Sequence, residues 1–182
     1  MKGIIFLLAG QAVSQAHGED AWDDILDAAG VGGAYTSLGN YPDEELGRIV
    51  GAASEALGLP AWDVVRWLGE AIVPAFVTHH GSLFDAHSDT RSFVLGLNTF
   101  IHPEVHKLYP DSHTPEFVFD ASDPDVLRMN YSSKRKLCAL AEGLIVGSAT
   151  HYGEQVGIAH DTCMLRGDEC CQLDLRFAPL AA

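Results

Sequence analysis

The sequence is poor in positive charge and has no long uninterrupted apolar run. It contains 11 lysines and arginines against 25 aspartates and glutamates, which gives a formal net charge of −14. This excess of negative charge repels nucleic acids and anionic lipids, so we expect neither as a partner. The longest mainly apolar stretch, residues 61–77, contains Asp63, Arg66 and Glu70. A membrane-spanning helix needs about 20 predominantly apolar residues, so we expect a soluble protein.

The sequence also lacks linker-like and repetitive segments. Apolar residues make up 47% of its 182 residues, which is enough to form a hydrophobic core. We therefore predict one globular domain that spans residues 1–182.

The first twenty residues, MKGIIFLLAGQAVSQAHGED, permit two interpretations. Lys2, the apolar run 3–10 and the small residues around 14–16 match the three parts of a secretory signal peptide. Alternatively, the same residues form a first helix that ends near Gly18, with Asp20 capping the next helix. The buried face of that helix would contain Ile4, Ile5, Leu7, Leu8 and Ala12.

The spacing of apolar residues predicts helices in the first two thirds of the chain. These helices cover about 2–16, 20–29, 43–57, 61–78 and 89–102. We expect Pro74 to kink the fourth helix, and we expect Pro103 to prevent the fifth from continuing normally.

The pattern changes after residue 102 to short strand-like runs separated by turns. Strands are predicted at about 116–120, 126–132, 154–163 and 170–177, with a helix at about 134–149. The order predicts an α+β fold, with an N-terminal helical part followed by a four-stranded antiparallel sheet.

Among nine histidines, most of which we expect at the surface, His102 stands at the end of an apolar helix and is followed by Pro103. The residues on or beside its face are Val94, Leu95, Asn98 and Ile101. Such a histidine is more often a core residue with one satisfied hydrogen bond. The alternative is an axial ligand to haem iron, which requires a neutral imidazole nitrogen facing an apolar slot.

Haem carries two propionates that need hydrogen-bond donors, and the segment NYSSKRKL offers three of them. Tyr131, Ser133 and Arg135 alternate, so in an extended chain their side chains leave on one side. A phenol, a hydroxyl and a guanidinium could then bind one anionic group. Taken alone, this pattern is also compatible with a solvated strand end.

These residues, in this order and spacing, resemble the haem nitric oxide/oxygen-binding (H-NOX) family. The resemblance covers nearly the whole chain. It rests on the segments MKGIIF, WDDILDAAG, IHPEVHKLYPDSHTPEF, YSSKR and AEGLIVG.

The resemblance implies a haem b buried between the helices and the sheet, with His102 as the iron ligand. It also implies that Tyr131, Ser133 and Arg135 bind the propionates. By the same resemblance, Pro115 presses on the porphyrin and distorts it, and Ile5 packs against it. The first twenty residues would then be the first helix rather than a signal peptide, so we expect a cytoplasmic protein.

The resemblance also bears on which gas is bound. Members of the family that bind O₂ carry a distal tyrosine at the place of Leu140, and Ala9 and Pro74 would lie near the distal side. None of these three side chains can donate a hydrogen bond to bound O₂. We therefore predict a sensor that binds NO and CO and excludes O₂.

For the signal, the resemblance implies that NO weakens the bond between iron and His102. The helix that carries His102 is then freed and the porphyrin relaxes. Because we find no kinase, cyclase or receptor segment, we expect the output to pass to a separate histidine kinase or diguanylate cyclase.

The cysteines and His160 form a second group of candidate metal ligands. In the segment HDTC, two residues separate His160 from Cys163. Three thiolates and one imidazole suit tetrahedral zinc, while the alternatives are buried free cysteines or disulfides. Cys170 and Cys171 cannot both face one site from a strand, and Cys171 shares its face with apolar residues. Some bacterial H-NOX proteins have such a Cys3His zinc site, and the matching residues are Cys138, His160, Cys163 and Cys171.

Two other classes of function compete with this prediction. One is a thiol and zinc redox switch whose apolar pocket binds a small molecule other than haem. The other is an enzyme, but the sequence shows no nucleophile and base at a recognisable spacing, so we expect no catalytic activity.

Overall fold

The computed structural model describes residues 1–180 and confirms the α+β class. The helices are α1 (Gly3–His17), α2 (Glu19–Ala29), α3 (Asp43–Leu57), α4 (Ala61–Ala71), α5 (Val73–Asp85), α6 (Thr90–Leu95), α7 (His102–Leu108) and α8 (Cys138–His151). The strands are β1 (Glu116–Asp120), β2 (Leu127–Ser132), β3 (Glu154–Thr162) and β4 (Cys171–Pro179). A π-helical turn spans Leu97–Ile101, and a short 3₁₀ turn spans Met164–Arg166.

The four strands form one antiparallel sheet in the order β1-β2-β4-β3. One hydrophobic core lies between this sheet and helices α5, α6 and α8. A second core lies among α1 to α4 and the start of α8. Helix α8 therefore contributes to both cores.

Helix α1 is part of the second core, but its buried face differs from the prediction. Phe6 is fully buried and stacks on Tyr35 at a ring distance of 4.3 Å. Leu7, expected inside, is 42% exposed. The predicted cap at Asp20 is also wrong, because α2 already begins at Glu19 and Gly18 occupies the cap position.

Both prolines singled out in the sequence lie just after an interruption of regular helical pairing. The helix predicted over 61–78 is interrupted at Ile72, two residues before Pro74, so the expected kink is present as a junction between α4 and α5, with Pro74 in the first turn of α5. Likewise, Pro103 lies in the first turn of α7, which continues to Leu108. First-turn N–H groups have no partner within their helix, so proline is tolerated there.

The segment YSSKR is not extended throughout, contrary to expectation. Strand β2 ends at Ser132, and α8 begins only at Cys138. Between them the chain turns, with Lys136 at a positive φ of 51°. The turn, rather than strand alternation, determines where Ser133 and Arg135 project.

In the described part of the chain, every helix is too short or too polar to cross a bilayer.

Helices α4 and α8 pack with their backbones in close contact. A methyl group added to Gly143 would lie 1.9 Å from the carbonyl oxygen of Arg66, and one added to Gly69 would lie 2.4 Å from that of Leu140. Neither backbone can yield locally, so any side chain at these positions must force the helices apart.

We predict that Gly143→Ala lowers the free energy of unfolding by about 1–3 kcal/mol, the usual cost of overpacking a filled interior. Gly51→Ala is the matched control. Nothing lies within 4 Å of a methyl group added to Gly51 on α3, so alanine should stabilise that helix by about 0.5–1 kcal/mol. Urea unfolding measures both, and equal effects of the same sign would contradict the account of the α4–α8 contact.

Candidate functional site

A cavity lies between α1, helices α5 to α8 and the first two strands. Its larger part has a volume of about 540 Å³ and its smaller part a volume of about 200 Å³. The two parts share several lining residues, among them His102, Pro115 and Arg135. Apolar side chains form most of the wall, as is usual for small-molecule and cofactor sites.

His102 is the first residue of α7 and lines both parts of the cavity. Its ring stacks on Phe117 of β1, with 5.5 Å between the ring centres. Burial and, to a smaller extent, the nearby His106 together lower the pKa of His102 to about 4. The imidazole is therefore neutral at physiological pH and keeps a lone pair that can bind a metal.

Tyr131, Ser133 and Arg135, the three predicted propionate ligands, all line the smaller part of the cavity. The hydroxyl of Tyr131 accepts a hydrogen bond of 3.0 Å from the backbone N–H of Leu137. Burial raises the pKa of Tyr131, so the phenol keeps its own proton for donation.

Arg135 is oriented by two contacts at the rim of the cavity. Its Nε donates to Asp43 at 2.7 Å, and a terminal nitrogen donates to the carbonyl of His113 at 2.8 Å. The α-amine of Met1 also donates to Asp43. Partial burial opposes ionisation of Asp43, but the hydrogen bonds from this amine and from Arg135 lower its pKa overall.

The guanidinium of Arg135 and the amine of Met1 therefore share the carboxylate of Asp43 beside the cavity. Sequence analysis missed Met1, which lines both parts of the cavity. Its contact with Asp43 joins residues 42 positions apart, and no local pattern could have indicated it.

The remaining predicted pocket residues divide into two groups. Pro115 lines both parts of the cavity, Ile5 the larger part and Leu140 the smaller part. Ala9 and Pro74 are not among the residues that line the two parts of the cavity. Ala9 is buried in the second core, which also contains Leu140, and Pro74 is exposed.

Several further apolar residues complete the wall, and sequence analysis singled out only one of them, Val94, as a neighbour of His102. Their periodicity placed them inside but could not show that they face a cavity rather than each other. They include Phe93, Val94, Leu97, Leu144 and Ile145.

The structure also brings together the second set of predicted residues. The ligand atoms of Cys138, His160, Cys163 and Cys171 all lie within 4.8 Å of one another, and we name these four residues the thiol cluster. Cys170 is half-buried and lies outside it.

Distances within the thiol cluster fit a tetrahedral metal ion. The sulfur of Cys163 lies 3.7 Å from that of Cys138 and 3.9 Å from that of Cys171. A tetrahedron with zinc–sulfur bonds of about 2.3 Å has edges of about 3.8 Å. The Nε2 atom of His160 is buried and has no hydrogen-bond partner among the described residues. A metal ligand role would satisfy this nitrogen.

The three thiols differ in acidity. Burial raises the pKa of Cys138 and of Cys171. Burial alone would also raise the pKa of Cys163, but hydrogen bonds from the backbone N–H of Leu165 and from the neighbouring thiols lower it. Cys163 is therefore the thiol that ionises most easily, and a thiolate is the form that binds metals.

Comparison with solved structures gives close matches over the whole chain. The H-NOX protein from S. oneidensis in the Fe(II)NO state is 33% identical, with a TM-score of 0.91 over 98% of this chain and 99% of that one. The H-NOX from Shewanella woodyi in the Fe(II)CO state, bound to IWP-051, is 28% identical, with a TM-score of 0.83 over 100% and 97%. A K. algicida H-NOX protein shares the fold, with a TM-score of 0.88 at 23% identity over 100% and 99%.

A search of curated protein sequences found no match. The model of the haem-NO-binding family, in contrast, matches residues 2–160. The chain therefore belongs to the haem-NO-binding, or H-NOX, family.

Proposed function

We propose that this protein is a gas sensor that binds haem b in the cavity and responds to NO and CO but not to O₂. The observation that carries the proposal is the neutral imidazole of His102, fixed at a helix start on the wall of an apolar cavity. Relatives of this fold are described in the Fe(II)NO and Fe(II)CO states. When bound, the haem supplies a ferrous iron able to bind a diatomic gas.

In this proposal, His102 binds the iron through its free lone pair. Phe117 stacks on the ring and limits its rotation. His102 also joins the π-helical turn to α7. A bound haem would tie these two segments to its iron through His102, so a gas that changes this restraint would bias the domain towards a second conformation. Pro115, which lines the same cavity, is our candidate for the contact that strains the porphyrin.

Three donors bind the propionates in this proposal. Tyr131 offers its phenolic proton, Ser133 its hydroxyl and Arg135 its guanidinium, all on the smaller part of the cavity. The guanidinium is already paired with Asp43, so its position is set before an anion arrives. Charge-assisted hydrogen bonds of this kind are the strong ones in a partly buried site.

Selectivity against O₂ follows from the wall around Leu140. Leu140, Ala141, Leu144 and Ile145 of α8 line the smaller part of the cavity, and none of these side chains can donate a hydrogen bond. Bound O₂ accumulates negative charge and needs such a donor, whereas NO and CO need it much less.

We further propose that the sensor acts in the cytoplasm and passes its signal to a separate histidine kinase or diguanylate cyclase, as the family resemblance implies. In this role the protein binds a ligand and changes shape, and it is not an enzyme.

The thiol cluster is proposed as a structural zinc site. The edge lengths between its sulfur atoms and the unpartnered Nε2 of His160 support this assignment. The lowered pKa of Cys163, with the sulfur of Cys138 at 3.7 Å, also favours oxidation of this pair by a peroxide. The two thiols would give two electrons and two protons to the peroxide, form a disulfide and release the zinc. If the protein binds no haem, such a redox switch is the second candidate function.

The gas-binding proposal predicts the absorption spectra of the reduced protein. The Soret band should shift under NO and under CO but remain unchanged under O₂. His102→Ala should lose or strongly weaken haem binding. A protein without a Soret band after haem addition, or one with a stable oxy complex in air, would contradict the proposal.

The apolar wall predicts a gain of function. Leu140→Tyr introduces a hydroxyl beside the gas and should produce an O₂ complex that survives long enough to record. Leu140→Phe is the matched control, because it has the same ring without the donor, and it should not bind O₂. If both variants bind O₂, space rather than hydrogen bonding decides selectivity.

The propionate contacts predict that Tyr131→Phe weakens haem binding. A hydrogen bond to a charged group contributes about 1.5–3 kcal/mol, so the haem dissociation rate should rise about tenfold to a hundredfold, as measured by transfer to apomyoglobin. Tyr35→Phe is the control, since Tyr35 packs on the second core and its hydroxyl donates to Glu45 at 2.9 Å. Equal rates in the two variants would exclude this role for Tyr131.

The thiol cluster predicts one zinc ion per chain under reducing conditions. Cys163→Ser should lose this zinc, whereas Cys170→Ser should retain it, because Cys170 lies outside the cluster. Elemental analysis of the purified proteins measures both. Retention of zinc by Cys163→Ser would refute the ligand set.

A further inference from the structure

A buried carboxylate lies directly behind the thiol cluster. Glu142 on α8 is only 6% exposed, in a helix that is otherwise almost entirely apolar. Its carboxylate contacts two groups: Nδ1 of His160 at 2.7 Å and Nε of Arg66 at 3.3 Å. A buried charge is costly unless it is paired, so this arrangement calls for a function.

The contact with Glu142 determines which nitrogen of His160 carries the proton. A carboxylate oxygen accepts hydrogen bonds, so this contact assigns the proton of the imidazole to Nδ1. This tautomer has its lone pair on Nε2. That atom is buried, lacks a partner among the described residues and lies within 4.8 Å of the three sulfur atoms.

Helix α4 supports this arrangement from the other side. Arg66 pairs with Glu142, and Trp62, one turn earlier, packs on the ring of His160 with 5.4 Å between ring centres. Glu142 is itself one turn after Cys138 on α8. Two pairs of residues at the i and i+4 spacing therefore surround the imidazole.

Arg66 also offsets the charge that Glu142 adds to the metal site. Three thiolates and a divalent ion leave one net negative charge, and Glu142 adds another. Arg66 supplies a positive charge next to the carboxylate while its own side chain remains 41% exposed. The cation therefore offsets the carboxylate without being desolvated itself.

We propose that Glu142, fixed by Arg66, is the positioning residue of the metal site, because it presents His160 to the metal through Nε2. The inference rests on the zinc site proposed above. Hydrogen-bonded partners behind a ligand histidine commonly change metal affinity by about 10- to 100-fold.

Zinc competition against a chromophoric chelator, with the thiols kept reduced, tests the proposal on the full chain. Glu142→Ala should weaken zinc binding by about 10- to 100-fold. Glu142→Gln should lose less, since its amide oxygen can still accept from Nδ1. Glu55→Gln, at an exposed position of α3, should bind zinc like the wild type. Circular dichroism verifies that each variant is folded, and the Gln variant keeps the test valid if the Ala variant is not.

A second measurement identifies the ligand atom. In protein loaded with ¹¹³Cd and labelled with ¹⁵N-histidine, cadmium should couple to Nε2 of His160, and Nδ1 should show the shift of a protonated nitrogen. In Glu142→Ala this coupling should weaken or appear at Nδ1. Coupling to Nδ1 in the wild type would overturn the proposal.

The outcomes distinguish the role of Glu142 from the zinc site on which it rests. If the wild type binds neither zinc nor cadmium, both the metal site and the role of Glu142 are refuted. If the wild type binds zinc and Cys163→Ser does not, while both Glu142 variants bind as tightly as the wild type, only the role of Glu142 is refuted.

Discussion

The burial of α8 on nearly every side is the constraint on which the rest of the structure depends. It packs against α4, α5 and α6 and against β3, and it belongs to both hydrophobic cores. Ten of its fourteen residues are buried, so it has no solvent face to which a misplaced side chain could turn. Different residues of α8 therefore face different neighbours. Cys138 belongs to the thiol cluster, Leu140 lines the cavity and Gly143 contacts α4. The same helix thus contributes to both the cavity and the thiol cluster.

Elements with a regular pattern could be predicted from the sequence, and irregular junctions could not. The bounds of α3 and β1 agree with prediction, because their apolar spacing and flanking turn residues are unambiguous. The interruption near Pro74 was expected, but its exact place at Ile72 and the continuation of helix past Pro103 to Leu108 were missed. A proline indicates where a backbone donor is absent, but only tertiary packing decides whether that absence falls inside a helix or at the start of the next.

The residues of the site also divide into those that could be predicted from the sequence and those that could not. Strand alternation identified Cys171 rather than Cys170 as the inward cysteine, and the structure places Cys171 in the cluster. The convergence of Tyr131, Ser133 and Arg135 was predicted, although a turn rather than an extended strand produces it. The contact of Met1 with Asp43 was missed because it joins distant parts of the chain. Glu142 did carry a local signal, since it is the single carboxylate in an apolar helix.

The π-helical turn before His102 has a consequence for how that residue can be redirected. Ile101 bonds back to Gly96, five residues earlier, so Leu97–Ile101 contains one residue more than an α-helical turn of the same length. Returning this stretch to α-helical pairing would displace the surplus residue, rotating the following helix by about 100° and shifting it by about 1.5 Å. His102 directly follows the π-helical turn with its extra residue. Moving the extra residue along the helix would therefore change the direction of the imidazole without unfolding either flanking helix.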